Sequence, residues 1–156
     1  MDPALELVDV VDEDDRVVAT VTRRDVRARG LLHRCTYVLL HNAAGEVLVH
    51  RRTDTKDVYP GAYDVFAGGV CAAGESYDAC ARREVAEELG VVGAELRFLF
   101  RHRYRGPGVD AWGAVYDGQW NGAVRRQESE VAWQAWVTPG ELDRMLGELS
   151  FCPDSR

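Results

Sequence analysis

The stretch Phe66–Val91, FAGGVCAAGESYDACARREVAEELGV, decides how the rest of the chain is read. Ser76 is a good helix N-cap, and Gly90 stands where a helix end favours a left-handed residue, so a helix is expected from about Tyr77 to Leu89. At about 100° per residue, Tyr77, Ala81, Val85 and Leu89 fall on one apolar stripe, which should face the core. Glu84, Glu87 and Glu88 gather along one margin of that stripe, with Arg83 directly before them and Cys80 one turn earlier. Like charges three and four residues apart repel by roughly a few tenths of a kcal/mol each, and the C-terminal half of a helix disfavours negative charge. A solvated acidic face is the ordinary explanation for such a cluster, but this one borders the buried stripe instead of opposing it. Gly68, Gly69 and Gly74 precede the helix and let backbone approach closely. Carboxylates converging beside a glycine loop suit a hard divalent cation such as Mg²⁺, which takes few protein carboxylates and leaves positions for phosphate oxygens.

Working outward, Glu6–Val11 and Arg16–Thr22 are β-rich runs around the acidic turn Asp12–Asp15, and they predict an N-terminal hairpin. Residues 25–30 read as a short helix or loop, closing an N-terminal segment of residues 1–28. Cys35–His41 and Val47–Arg51 flank the turn Asn42–Gly45 and form a second hairpin signal. Thr53–Tyr63 reads as loop, and Tyr63–Ala67 as a short strand ending at Gly68-Gly69. Leu96–Tyr104 and Ala111–Tyr116 read as strands around the loop Arg105–Gly108. Val131–Val137 is a further strand, and Thr138 with Pro139 opens a last helix over Gly140–Leu149. Strands interleaved with helices in this order imply an α/β layered domain with a mixed sheet, a single domain over residues 1–156.

Composition narrows the function classes. The chain has 156 residues, 46% hydrophobic and 29% charged, long enough for one real core. A net charge of −7 argues against a nucleic acid polymer or an anionic membrane as partner. Cys35, Cys71, Cys80 and Cys152 form no CxxC pair and suggest neither zinc nor a disulfide framework. Reduced thiols, together with an acidic N-terminus that lacks a signal-peptide pattern, give a cytoplasmic expectation.

Gly69, Glu75 and the run Arg83-Glu84-Val85-Ala86-Glu87-Glu88-Leu89-Gly90-Val91 resemble the Nudix box of the Nudix hydrolases, with every fixed residue at its spacing. At about 7% usage per residue type, a chance match in a chain this long is on the order of one in a million. The resemblance implies a Nudix-type α/β/α sandwich and Mg²⁺- or Mn²⁺-dependent cleavage of a small-molecule diphosphate. Carried over by position, Glu84, Glu87 and Glu88 would be metal ligands, Gly69 would offer a carbonyl, and Arg83 and Glu75 would orient them. The cation would acidify a bound water for in-line attack. The base that takes its proton is either a box glutamate or a loop acid, Glu128 or Glu130.

Leu32–Asp64 resembles a narrower branch, the isopentenyl-diphosphate isomerase-like Nudix proteins, in its Leu-His start, Arg-Arg pair, lysine and Tyr-Pro-Gly. That resemblance implies a metal-ligating role for His33 and diphosphate binding by Arg51, Arg52 and Lys56, with Gly68 and Gly69 at the substrate. Isomerase chemistry itself fits poorly. The isomerase cysteine position is Gly68 here, its histidine position is Val70, Cys71 is out of register, and Asp110 alone stands where an acidic pair is expected. Hydrolysis of a nucleoside di- or triphosphate, or of another X-linked diphosphate, is the leading expectation. The isomerase-like enzyme and a non-catalytic phosphate-binding module are its alternatives. Arg101, His102, Arg103 and Arg105 are candidates for guiding an anion, and Tyr59, Tyr63, Tyr104, Trp112 and Trp120 for stacking on a base. Cys80 reads as a packing residue. The apolar residues of the hairpin could cover their own domain or join two subunits as a homodimer.

Overall fold

The computed structural model describes residues 2–56 and 58–155. After a short 3₁₀ turn at Pro3–Leu5, strands β1 (Leu7–Val11) and β2 (Val17–Thr22) form the N-terminal hairpin. Helix α1 (Arg23–Arg29) follows directly: Thr22 caps it by accepting the Asp25 N–H, and Gly30 ends it in the left-handed region. The chain then builds β3 (His33–His41), β4 (Val47–Arg52), β5 (Tyr63–Asp64) and β6 (Phe66–Ala67). Helix α2 (Tyr77–Leu89), β7 (Leu96–Gly106), β8 (Val109–Gln119), β9 (Val131–Val137) and α3 (Pro139–Glu148) complete it.

One mixed sheet results. β3 runs parallel to β8 over nine paired positions, from His33↔Ala111 to His41↔Gln119, while the other pairings are antiparallel. Alternation along the strands sorts the core. Val38, Leu40, Leu48, Ala114 and Tyr116 face Ala81, Val85 and Leu89 of α2. Val49 and Val137 face the opposite way, where Leu142, Met145 and Leu146 of α3 cover them together with Phe151. Helices on both faces give the expected α/β/α sandwich.

Where structure and sequence reading differ, the causes are local. The expected strand Tyr63–Ala67 is broken at Val65. Asp64 Oδ1 accepts the Phe66 N–H at 2.9 Å, an Asx turn that hands the chain from β4 to β3. The expected loop Arg105–Gly108 shrinks to Pro107-Gly108, with Gly108 at φ 70°. Arg103 grips Asp110 across the hairpin with two bonds, Nε–Oδ1 2.7 Å and Nη2–Oδ2 2.8 Å, and so extends the pairing to the turn.

Asp15 ties the N-terminal hairpin to the sandwich. Its side chain is 4% exposed, and its oxygens accept Arg34 Nε at 2.7 Å, Arg101 Nη1 at 2.8 Å and the Tyr77 hydroxyl at 2.7 Å. A φ of 61° at this non-glycine residue is the backbone strain of the turn that presents it. Among the described residues, no helix is long and apolar enough to cross a membrane.

Candidate active site

Helix α2 owes its placement to its ends and its stripe. Ser76 Oγ accepts the Ala79 N–H at 3.1 Å, Gly90 closes the other end at φ 65°, and Cys80, Ala81, Val85 and Leu89 are buried. The glutamate margin therefore faces a cavity of about 270 Å³ between α2, the Gly68-Gly69 turn, β3 and β4. Glu84, Glu87, Glu88, Arg83, Gly68, Gly69, Arg52, Lys56 and Glu130 all line it.

Arg83 is the hub. Its Nε and Nη2 bind both oxygens of Glu75, at 2.7 and 2.9 Å, while Nη1 reaches Glu84 at 3.0 Å and Glu87 at 3.1 Å. Nη2 also donates to the Val70 carbonyl at 3.3 Å, pinning the turn to the helix. Burial alone would raise the Glu75 pKa, but the Arg83 bond and the Ala72 N–H overcome it, so this carboxyl sits below the usual range. Cys71 and Cys80 lie within 4.8 Å of a Glu75 oxygen and are buried, and Glu75 is committed to Arg83. Cys80 packs against Thr36 and the Gly69 carbonyl, in keeping with a packing role.

Glu84 and Glu88 behave differently. Burial pushes both pKa values up; Arg83 pulls back on Glu84, and the Glu84 charge adds to the rise at Glu88, which stands well above normal. Two crowded, desolvated carboxylates are a site that calls for cation charge. Gly69 makes the notch: a Cβ there would sit 2.9 Å from the Glu84 carboxyl carbon. Its carbonyl accepts the Thr36 N–H at 3.0 Å and the Cys80 thiol at 3.7 Å. A Cβ on Gly68, at φ 152°, would meet the Thr36 carbonyl oxygen at 2.1 Å. Glu87 differs again, being 53% exposed and leaning on Arg83. The donor set fits a hard dication: Glu84 and Glu88 could hold it, with Glu87 swinging in from Arg83.

Opposite stand the cations. Arg52 lines the cavity with its Nε anchored on the Val58 carbonyl at 3.0 Å, and Lys56 pairs with Glu130. Arg51 is not in the cavity. Strand alternation turns it away, and its guanidinium holds the Gly61 carbonyl at 3.1 Å and Asp54 at 3.2 Å. Glu128 is exposed and outside the lining as well, which leaves Glu130 as the loop acid at the cavity. The expected anion guides are spent elsewhere: Arg101 binds Asp15, Arg103 binds Asp110 and Glu13, and Arg105 lies against the same two acids. Of the five candidate stacking aromatics, Tyr59 alone lines the cavity, its hydroxyl 2.7 Å from that of Tyr104.

His33 is 2% exposed at the cavity floor. A carbonyl can only accept, so the 2.9 Å contact with Leu31 O puts the proton on Nδ1 and leaves Nε2 as an acceptor. Burial lowers its pKa, so the ring is neutral at pH 7. Residues that sequence reasoning passed over also line the cavity, among them Asp64, Gln127, and Arg23 and Arg27 of α1. The two arginines carried a signal, an i,i+4 like-charge pair, in a segment read only as polar.

Comparison with known proteins settles the family. A family model described as the NUDIX domain matches residues 31–151. The chain belongs to the Nudix family. It is 50% identical to the uncharacterised Nudix hydrolase SCO1686 of Streptomyces coelicolor, over 99% of this chain and 86% of that protein. It is 40% identical to the Nudix hydrolase YfcD of Escherichia coli, over 96% of this chain and 82% of the relative. Among solved structures, DR0079 of Deinococcus radiodurans superposes with a TM-score of 0.81 at 27% identity, covering 96% and 94% of the two chains. The Nudix assignment makes this a pyrophosphohydrolase by class, acting on a small molecule with a diphosphate bond. The α1 hairpin segment precedes the part that the family model matches, whereas these relatives align across it.

Proposed function

We propose that the protein is a Mg²⁺- or Mn²⁺-dependent hydrolase that cleaves the diphosphate linkage of a nucleoside di- or triphosphate or a similar X-linked diphosphate. The observation that carries this reading is one cavity with buried, crowded carboxylates of α2 on one side and Arg52 and Lys56 on the other. Such a pair of walls suits an anion bridged to carboxylates by a cation.

Glu84, Glu87 and Glu88 would hold the cation, beside the Gly69 backbone. When bound, it supplies Lewis acidity and lowers the pKa of an attacking water. Arg83 fixes the carboxylates by binding Glu75, Glu84 and Glu87 at once. Arg52 and Lys56 draw the diphosphate oxygens to the opposite wall and offset charge that builds there as the anhydride breaks. A box carboxylate accepts the water proton, since Glu130 is engaged by Lys56 and acts by holding that ammonium in place. Neutral His33 offers Nε2 as an acceptor to substrate hydroxyls at the floor, and Tyr59 offers a ring face.

The four cysteines are buried and form no disulfide, in keeping with a reducing, cytoplasmic setting. The test is a panel of diphosphates incubated with Mg²⁺. Release of phosphate or a nucleoside monophosphate, lost in Glu87→Gln, supports the reading. Metal binding without turnover of any compound, or conversion of isopentenyl diphosphate to its allylic isomer, would sink it.

A further inference from the structure

Leu48, His50 and Arg52 follow one another on the face of β4 that meets α2. Leu48 packs in the core, and Arg52 ends the run at the cavity cations. His50 holds the position between them. It is 4% exposed and lines the cavity, and its ring meets no hydrogen-bond partner among the described residues. Among the same residues the polar side-chain atom that is both sealed and unpartnered is Trp112 Nε1, so the His50 nitrogens open on the cavity. Burial, with the charges of Arg52 and Lys56, pushes the His50 pKa down to about 3. The ring is therefore neutral, with one nitrogen to donate and one to accept. A buried polar group without a partner destabilises a fold, and an apolar residue would pack at this position as Leu48 does.

Asp64 stands directly opposite His50 in the β4–β5 pairing, so the two side chains share that face. It is also buried and lines the same cavity. The Phe66 N–H and the Cys152 thiol use part of its capacity, and a carboxyl group has about four acceptor positions. Asp154 lies close enough for the two acids to feel each other's charge, held by the Tyr37 hydroxyl at 3.1 Å, and the field of Arg52 reaches both. This floor offers acceptors and a neutral imidazole donor, a set that suits hydroxyl groups better than a further anion. Carboxylates are established partners of sugar hydroxyls. Residues two apart on a strand are separated by about 7 Å, so a phosphate held at Arg52 would bring the group attached to it to His50.

We propose that His50 and Asp64 form the subsite for the organic half of the substrate, and that this half is a ribose whose adjacent 2′- and 3′-hydroxyls bridge the two side chains. This deepens the proposed function and rests on it. The substrate class narrows to ribonucleoside di- or triphosphates and their derivatives, whichever base they carry.

The four common ribonucleoside triphosphates and their 2′-deoxy counterparts differ within each pair by one hydroxyl. Their binding to the Glu87→Gln protein, measured calorimetrically with Mg²⁺, reads the proposal without turnover. In at least one pair the ribose member should bind about tenfold tighter. Adding His50→Phe, which keeps a ring but removes both nitrogens, should cut that ratio to about twofold or less. His50→Gln keeps a donor and an acceptor and should retain at least about half of it. Asp64→Asn should lower the same ratio about threefold. Denaturant unfolding separates a binding role from a structural one. Since the ring has no partner in the free protein, His50→Phe should leave the unfolding midpoint unchanged or raise it. A midpoint that falls shows that the ring serves the fold and overturns the inference. Equal binding within every pair, binding of no member, or a ribose preference that survives His50→Phe also overturns it. Turnover of diphosphates with no such preference removes this inference and leaves the hydrolase. A His50-dependent preference without turnover of any diphosphate does the reverse.

Discussion

Helices α2 and α1 face one cavity with opposite charge, and they are built to different tolerances. α2 has thirteen residues, is capped at both ends, and is locked by four buried side chains and the Arg83 hub. α1 has seven residues and one buried side chain, Val26. On the proposed function the acidic wall would have to hold oxygens at fixed separations for a metal and a reacting water, which its over-determined geometry suits. Arg23 and Arg27 of α1 line the same cavity from a shorter helix with one buried side chain. The pattern they share is like charge crowded on a helix face that meets a cavity.

Breaking the acidic wall should cost most. Glu88→Gln is expected to lower kcat by about a thousandfold with little change in KM, measured with any panel compound that is turned over. A KM effect alone would move Glu88 to the substrate side of the comparison. Asp64 tests whether charge at the far side of the cavity is a burden. It is buried, and burial lifts its pKa from 3.8 to about 7. The folded state therefore holds its proton more tightly than the unfolded one. Stability from this group is complete below about pH 4 and is lost as pH rises through about 7. Asp64→Asn keeps an acceptor for the Phe66 N–H. It should raise the unfolding free energy above pH 7 by at most roughly 4 kcal/mol, with no gain near pH 4, by denaturant titration at both pH values.

Smaller effects sharpen the picture. Glu75→Gln releases one side of the Arg83 hub and should cost about ten- to a hundredfold in activity, with a matching loss of Mg²⁺ affinity. Because protons compete at Glu84 and Glu88, Mg²⁺ should raise the thermal midpoint more at pH 8 than at pH 5.5. The finest contrast lies within one strand. Arg52→Gln should raise KM about tenfold, while Arg51→Gln should change it by less than about twofold. Equal effects would show that strand alternation does not select the substrate-facing arginine.

The helix bounds of α2 were legible because Ser76 and Gly90 are local signals, and the apolar stripe predicted Ala81, Val85 and Leu89 of its buried face, while Tyr77 is half-buried and Cys80 is buried beside them. The sandwich followed from element order. The Arg51/Arg52 choice was not legible: which face of β4 meets the cavity depends on its pairing with β9, a contact about 80 residues away in sequence. The same holds for Arg101, Arg103 and Arg105, whose partners Asp15 and Glu13 come from the distant β1–β2 turn, while Asp110 meets Arg103 and Arg105 across their own hairpin. Their spacing gave a basic cluster, and only the fold shows it neutralised. Arg23 and Arg27 gave a signal, but a seven-residue helix is too short for periodicity to show which way they face.

Asp15 bears on any attempt to trim the chain. The family model begins at residue 31, which invites a shorter version that discards the hairpin. Such a truncation would leave Arg34 and Arg101 without their shared carboxylate and Tyr77, the first residue of α2, without its hydroxyl partner. The loss would then fall on the first turn of α2, so the N-terminal hairpin acts as a buttress for that helix as well as an extension of the sheet.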